Sequence, residues 1–149
     1  MSTTMLTELE WQQIRARASN FPPEAFHFVR AGLHHTVQSI HGEPLTVSSK
    51  GASSGQLVIK LPVTDPTDER RHISGQQLCL GIRDLAIQRY GLLARTVLRK
   101  WGIRRSEDFG TLVYAMIDRG ELRSSPNDRI QDFQGVFDFD EAFNQIGLN

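Results

Sequence analysis

A chain of 149 residues with 17 Lys and Arg against 17 Asp and Glu, 39% apolar and 23% charged, has the composition of one soluble globular domain. At this length roughly 70% of the unfolded surface can be buried, so the fold requires neither disulfides nor a structural metal. The single cysteine, Cys79, excludes internal disulfides and a Cys-rich zinc site, and suits a reducing compartment.

The start, MSTTMLTELEWQQIRAR, scatters its charges and lacks an apolar h-region, so a cytoplasmic chain without a membrane span is expected. A first helix is predicted at about residues 6–18, with Leu6, Leu9, Ile14 and Ala18 among polar positions. In residues 22–41, Pro22 and Pro23 suit a first turn. Phe26, Val29, Leu33, Val37 and Ile40 then recur at intervals of three and four, giving one buried stripe. Residues 45–65 change character, with β-branched residues on either side of a Ser, Gly and Lys tract. Residues 45–48 and 56–61 are predicted to pair as a hairpin around a tip at 49–55, followed by a Pro-bounded loop.

Ser74 is predicted to cap a helix at 75–90, closed by Gly91, in which Leu78, Ile82, Leu85 and Ala86 form one face and Cys79, Leu80, Ile87 and Tyr90 widen it. A helix at about 92–101 would turn Leu93, Val97, Leu98 and Trp101 inward and end at Gly102. Ser106 would cap a helix at 107–119 in which Phe109, Leu112, Val113, Met116 and Ile117 keep the helical period without a miss, ending at Gly120. Residues 122–133 contain a turn signal at 125–128 between two short stretches predicted as strands. Asp138 and Glu141 fit a capping box for a terminal helix at 138–147 with Phe139, Phe143 and Ile146 on one face.

The predicted fold class is therefore mainly α with a small β component. It is a single domain over 1–149: N-terminal helices at 1–41, a hairpin at 45–65, a three-helix, winged-helix-like core at 74–137 and a C-terminal helix. In that reading 92–101 is the supporting helix, 102–105 the turn, 107–119 the recognition helix and 122–133 the wing.

The block HISGQQLCLGIRDLAIQRYGLLARTVLRKWGIRRSEDFGTLVYAMIDRGEL, continuing into DFQGVFDFDEAF, together with FPPEAFHFVRAGLHHTV, resembles a family of small uncharacterised bacterial proteins reported mainly from Verrucomicrobia and Planctomycetes. The likeness covers most of the chain outside the hairpin. It implies a bacterial, cytoplasmic protein and carries over no activity, cofactor or catalytic residue.

The net charge of zero hides an internal asymmetry. Residues 83–105 carry seven basic groups against Asp84 alone, whereas 106–149 carry nine acidic groups against Arg119, Arg123 and Arg129. The candidate binding residues are Arg95, Arg99, Lys100, Arg104 and Arg105, the cations of the second helix and the turn of the winged-helix-like core.

For nucleic acid, these cations would contact phosphate. Against that, the exposed face of the third helix would carry Glu107, Asp108, Thr111, Tyr114 and Asp118, and its carboxylates would repel a polyanion. Glu107 and Asp108 at a helix start also satisfy the macrodipole without any ligand. The favoured reading is a non-catalytic module that contacts a protein partner, or another copy, through the positive surface or the negative third-helix face. A winged-helix nucleic-acid binder is the alternative and an enzyme with an unrecognised site the third. The acidic tail residues Asp138, Asp140 and Glu141 are expected to fold back on Arg99, Arg104 or Arg105.

No metal or cofactor is expected. His27, His34 and His41 are seven apart on one helix face, about 10 Å between consecutive rings along the axis, too far for one ion. Cys79 lies on an apolar face, where a free cysteine is a small hydrophobe more often than a nucleophile. GASSG lacks the spacing and the Lys of a phosphate loop, and the pair Asp138 and Asp140 is explained by capping.

Overall fold

The computed structural model describes residues 6–41, 73–124 and 128–144. In chain order they form α1 (Glu8–Ala18), α2 (Pro23–His41), α3 (Gly75–Tyr90), a 3₁₀ turn (Gly91–Leu93), α4 (Ala94–Lys100), α5 (Ser106–Asp118), a second 3₁₀ turn (Ile130–Phe133) and α6 (Phe139–Asn144). No helix among them is long and apolar enough to cross a membrane.

Capping chemistry sets several of these boundaries. Thr7 and Glu10 form a capping box at the start of α1, as Ser74 and Gln77 do for α3: each hydroxyl accepts from the third helical N–H, and the longer side chain accepts from the cap N–H. α4 ends in a Schellman motif, with Gly102 N–H donating to Arg99 C=O and Ile103 N–H to Leu98 C=O. Both apolar residues of that motif, Leu98 and Ile103, are fully buried. At α6, Asp138 Oδ1 accepts from the N–H groups of Asp140 and Glu141.

The core forms around α5, which is buried on nearly every side from Phe109 to Met116. α1 covers it with Trp11 against Tyr114, whose ring centroids lie 6.1 Å apart. The second 3₁₀ turn covers it with Phe133 edge-on to the same tyrosine. α2 and α3 make the most extensive helix pair, and α4 joins α3 to α6. Phe109, Phe137, Phe139 and Phe143 stack beneath α6, with Phe137 and Phe139 parallel at 5.2 Å.

The α2–α3 crossing is close because small residues meet there. A Cβ on Gly32 would stand 2.4 Å from Ile82 Cγ1, and one on Gly81 would stand 1.8 Å from Thr36 Oγ1. The buried stripe of α2 is accordingly Ala25, Phe28, Val29, Gly32 and Thr36, rotated from the predicted one. Phe26 and Val29 are buried as expected, but Leu33 and Val37 are half-buried and Ile40 is exposed.

The predicted β component is corrected: no strand occurs among the described residues. The hairpin at 45–65 lies outside them, as do the turn residues 125–127. Of the wing predicted at 122–133, the described residues 122–124 and 128–133 form irregular chain and a 3₁₀ turn. The physical reason lies in the hydrogen bonding at the end of that segment and just beyond it. Ser106, predicted as an N-cap, is instead the first residue of α5 and fully buried, and its hydroxyl donates to Phe133 C=O at 2.7 Å and accepts from Val136 N–H at 3.1 Å. Glu107 accepts from Gly135 N–H. Side chains of α5 thus satisfy the backbone groups that a strand would pair with a neighbour. Without a strand among the described residues, and with the expected recognition helix at the centre of the core, the winged-helix-like reading fails.

Candidate functional site

The five candidate cations lie on α4 and on the turn joining it to α5. Arg95, Arg99 and Arg104 line one open concavity of about 300 Å³, floored by Ile103 and Phe139, between α4 and α6. Lys100 and Arg105 are exposed beside it. The turn is held firmly. Ile103 anchors it in the core, and Asp108 Oδ2 accepts from the N–H groups of Arg104 and Arg105 at 2.8 and 3.2 Å. The sequence predicts Asp108 as part of a repulsive acidic front; its carboxylate instead reaches back from the first turn of α5 to cap the helix and fix the turn that displays the arginines.

The rest of the acidic set is similarly engaged. Asp118 accepts two hydrogen bonds from the Arg15 guanidinium, at 2.9 and 3.0 Å. These bonds hold its carboxyl below the usual carboxylate range, against a smaller opposing effect of burial. Glu121 pairs with Arg30, and Asp132 with Arg129. Thr111 and Tyr114, expected on an exposed face, are buried, Tyr114 against Trp11 of α1 and Phe133 of the second 3₁₀ turn. The carboxylates of α5 are thus engaged within the chain.

The basic block divides in two. Arg83 pairs with Asp84 and lies 5.9 Å from the Phe137 ring centroid, Arg89 lies 5.8 Å from that of Phe28, and Arg95 pairs with Asp140 on α6. By contrast, no carboxylate among the described residues lies within ion-pair distance of Arg99, Lys100, Arg104 or Arg105. The expected fold-back of the acidic tail on Arg99, Arg104 or Arg105 is not seen among the described residues; the tail instead makes a bridge from Asp140 to Arg95. Asp138 is held at the start of α6.

A second concavity, of about 380 Å³, lies where α1, α2 and the end of α5 meet, with Phe21, His27, Arg30, Arg119 and Glu121 in its wall. Its charges are satisfied internally: Arg30 by Glu121, and Arg119 by the Phe26 ring at 4.4 Å. Cys79 is fully buried, and that burial, with Glu107 adding to it, pushes its thiol up to about 12, so the thiolate is not accessible as a nucleophile. Among the described residues no group of three or more His, Cys, Asp or Glu is placed to hold a metal ion.

The surface of α4 also carries two residues that sequence reasoning placed wrongly or passed over. Leu93, predicted inward, and Leu92 are 62% and 67% exposed in the 3₁₀ turn that precedes the helix. Gly91 was a signal for this, since a glycine between two helices permits a break that rotates the second helix relative to the first. Compared with protein families, with curated proteins and with solved structures, the chain matches none.

Proposed function

We propose that this chain is a non-catalytic binding module of a bacterial cytoplasm that contacts a protein partner through the positive face made by Arg99, Lys100, Arg104 and Arg105, with Arg95 at its edge. One observation carries the reading: four cations on a rigid helix and turn have no carboxylate partner among the described residues, although the chain as a whole is neutral. Exposed like-signed charges held on a fixed scaffold favour an oppositely charged partner and speed its encounter. The bacterial setting rests on the sequence resemblance alone. A partner with clustered carboxylates fits this face better than duplex DNA does, because Asp138, Asp140 and Glu141 border α4 along α6 and would face the flanking phosphates.

The test is fluorescence anisotropy with a labelled glutamate-rich peptide and a duplex DNA of equal charge, at two salt concentrations between roughly 50 and 200 mM. The peptide binds and weakens with salt, and the Arg99→Glu/Arg104→Glu variant loses about tenfold or more in affinity while keeping its helical circular dichroism. Unchanged peptide binding by that variant, or tighter binding to the duplex, refutes the proposal.

A further inference from the structure

Leu92 and Leu93 are held outward by the backbone. Gly91 adopts φ 51° and ψ −124°, the first central position of a type II′ turn, a conformation that residues with a side chain rarely take. Its N–H closes α3 on Ile87 C=O, and Ala94 N–H returns to Gly91 C=O to begin α4. The break puts Ala94 into the core where a continuous helix would have put Leu93. From this turn one exposed strip runs along α4: Thr96, Arg99 and Lys100 succeed the leucines at helical steps, and Arg104 and Arg105 extend it past Gly102. Leucine end and cationic end are about 12 Å apart, eight residues at helical rise.

We infer that this strip receives an amphipathic acidic segment of a partner protein, with apolar side chains seated on Leu92 and Leu93 and carboxylates on Arg99, Lys100, Arg104 and Arg105. The inference rests on the proposed protein-binding role and adds an apolar half to the site. A peptide segment fits where a broad anionic surface does not. α6 brings Asp140 against Arg95, with Asp138 and Glu141 exposed beside it, so a flat bilayer seated on the leucines would press its phosphates on those carboxylates. Neither leucine gains from a sugar-phosphate backbone, whereas both gain from an apolar side chain that leaves water with them.

The experiment uses two synthetic peptides with identical acidic clusters, one carrying a Leu-Leu pair about 12 Å from the cluster and the other Ser-Ser at the same place, titrated into the full chain and into a Leu92→Ser/Leu93→Ser variant. The Leu-Leu peptide binds the unaltered chain about tenfold or more tighter than the Ser-Ser peptide. The variant abolishes that difference while leaving Ser-Ser binding and its salt dependence as they were. Because both leucines are exposed, the variant keeps its fold, which circular dichroism checks. Equal binding of the two peptides by the unaltered chain overturns this inference and leaves the basic face standing; no binding of either overturns both. Co-sedimentation with phosphatidylserine vesicles that the leucine variant loses overturns it in favour of a lipid surface.

Discussion

Replacing Gly81 by alanine tests whether small residues, more than the apolar stripe, set the α2–α3 contact. A Cβ at this position would stand 1.8 Å from Thr36 Oγ1, 2.8 Å from its Cβ and 3.0 Å from its Cγ2. Rotating the threonine is no escape, because its Cβ is itself too close and its hydroxyl is bound at 2.6 Å to Gly32 C=O in a site 1% exposed. The helices must part by at least 1.2 Å to bring the closest pair to 3.0 Å, and a gap of roughly 1 Å forfeits up to about half of each dispersion contact along the crossing. Overpacking of this kind costs about 1–3 kcal/mol and loss of the threonine hydrogen bond about 1 kcal/mol more, against a gain of at most about 1 kcal/mol from alanine's helix propensity. The net is a loss of about 2 kcal/mol, or a fall in Tm of about 4–8 °C for a chain of this size. Thermal unfolding monitored by circular dichroism measures it. Adding Thr36→Ala removes two of the three clashing atoms and restores about 1 kcal/mol relative to additivity. A Gly81→Ala variant at least as stable as the parent would show that the crossing is loose and the argument wrong.

Four further outcomes are expected. Ser106→Ala strands Phe133 C=O and Val136 N–H and costs about 2 kcal/mol or more in urea unfolding, whereas a serine serving merely as a cap would cost about 1 kcal/mol. The Tyr114 hydroxyl is buried without a hydrogen-bond partner among the described residues, and burial, then Asp128 and Asp132, push it up to about 12. Tyr114→Phe therefore leaves neutral-pH stability unchanged or raises it. Because the folded-state values of Tyr114 and Cys79 both lie above their unfolded ones, stability is intact below about pH 9 and declines as pH rises towards 12, a decline that Tyr114→Phe makes shallower. Asp118 has the opposite sign: its folded value lies below the unfolded one, so its contribution is present above about pH 4 and is lost as pH falls through the folded value. Asp118→Asn then flattens the acid limb of a urea-midpoint profile, and an unchanged limb would mean that Arg15 does not hold the carboxylate in solution.

Where helix boundaries depend on neighbouring residues, they were legible. Ser74 and Gln77 start α3 and Gly91 ends it at the predicted residues, because both signals act within one turn of chain. The inward face of α5 was legible for the same reason, since its period is a local property. Which further faces are covered is not local. Tyr114 looks like a surface residue until α1, far away in sequence, lays Trp11 against its ring, and Thr111 is buried on the same helix. The α2 stripe was missed by about one position because apolar pattern weights Leu33 and Val37, whereas the contact is made by Gly32 and Thr36, whose merit is small size. For the candidate site, the cations were legible by composition. The company they keep was not, because hydrophobic spacing assigned Leu93 to the inner face of a helix at about 92–101, whereas α4 begins at Ala94 and Leu93 belongs to the exposed 3₁₀ turn before it.

The charge pattern shows how a neutral chain can carry a directed surface. Net charge predicts no long-range attraction for an acidic partner, yet net charge counts carboxylates that the fold has already committed. Asp108 and Asp138 are held at helix starts, Glu107 by a backbone N–H, and Asp118 and Glu121 in pairs with α1 and α2. Each is fixed by a short-range contact and placed by the core, not by the arginines of α4. What a partner meets within a Debye length of about 8 Å is the local balance, and along α4 that balance is positive at one end and apolar at the other. Reversing Arg99 and Arg104 should therefore change association far more than reversing two arginines already engaged elsewhere, such as Arg15 and Arg30, whose loss appears in stability instead.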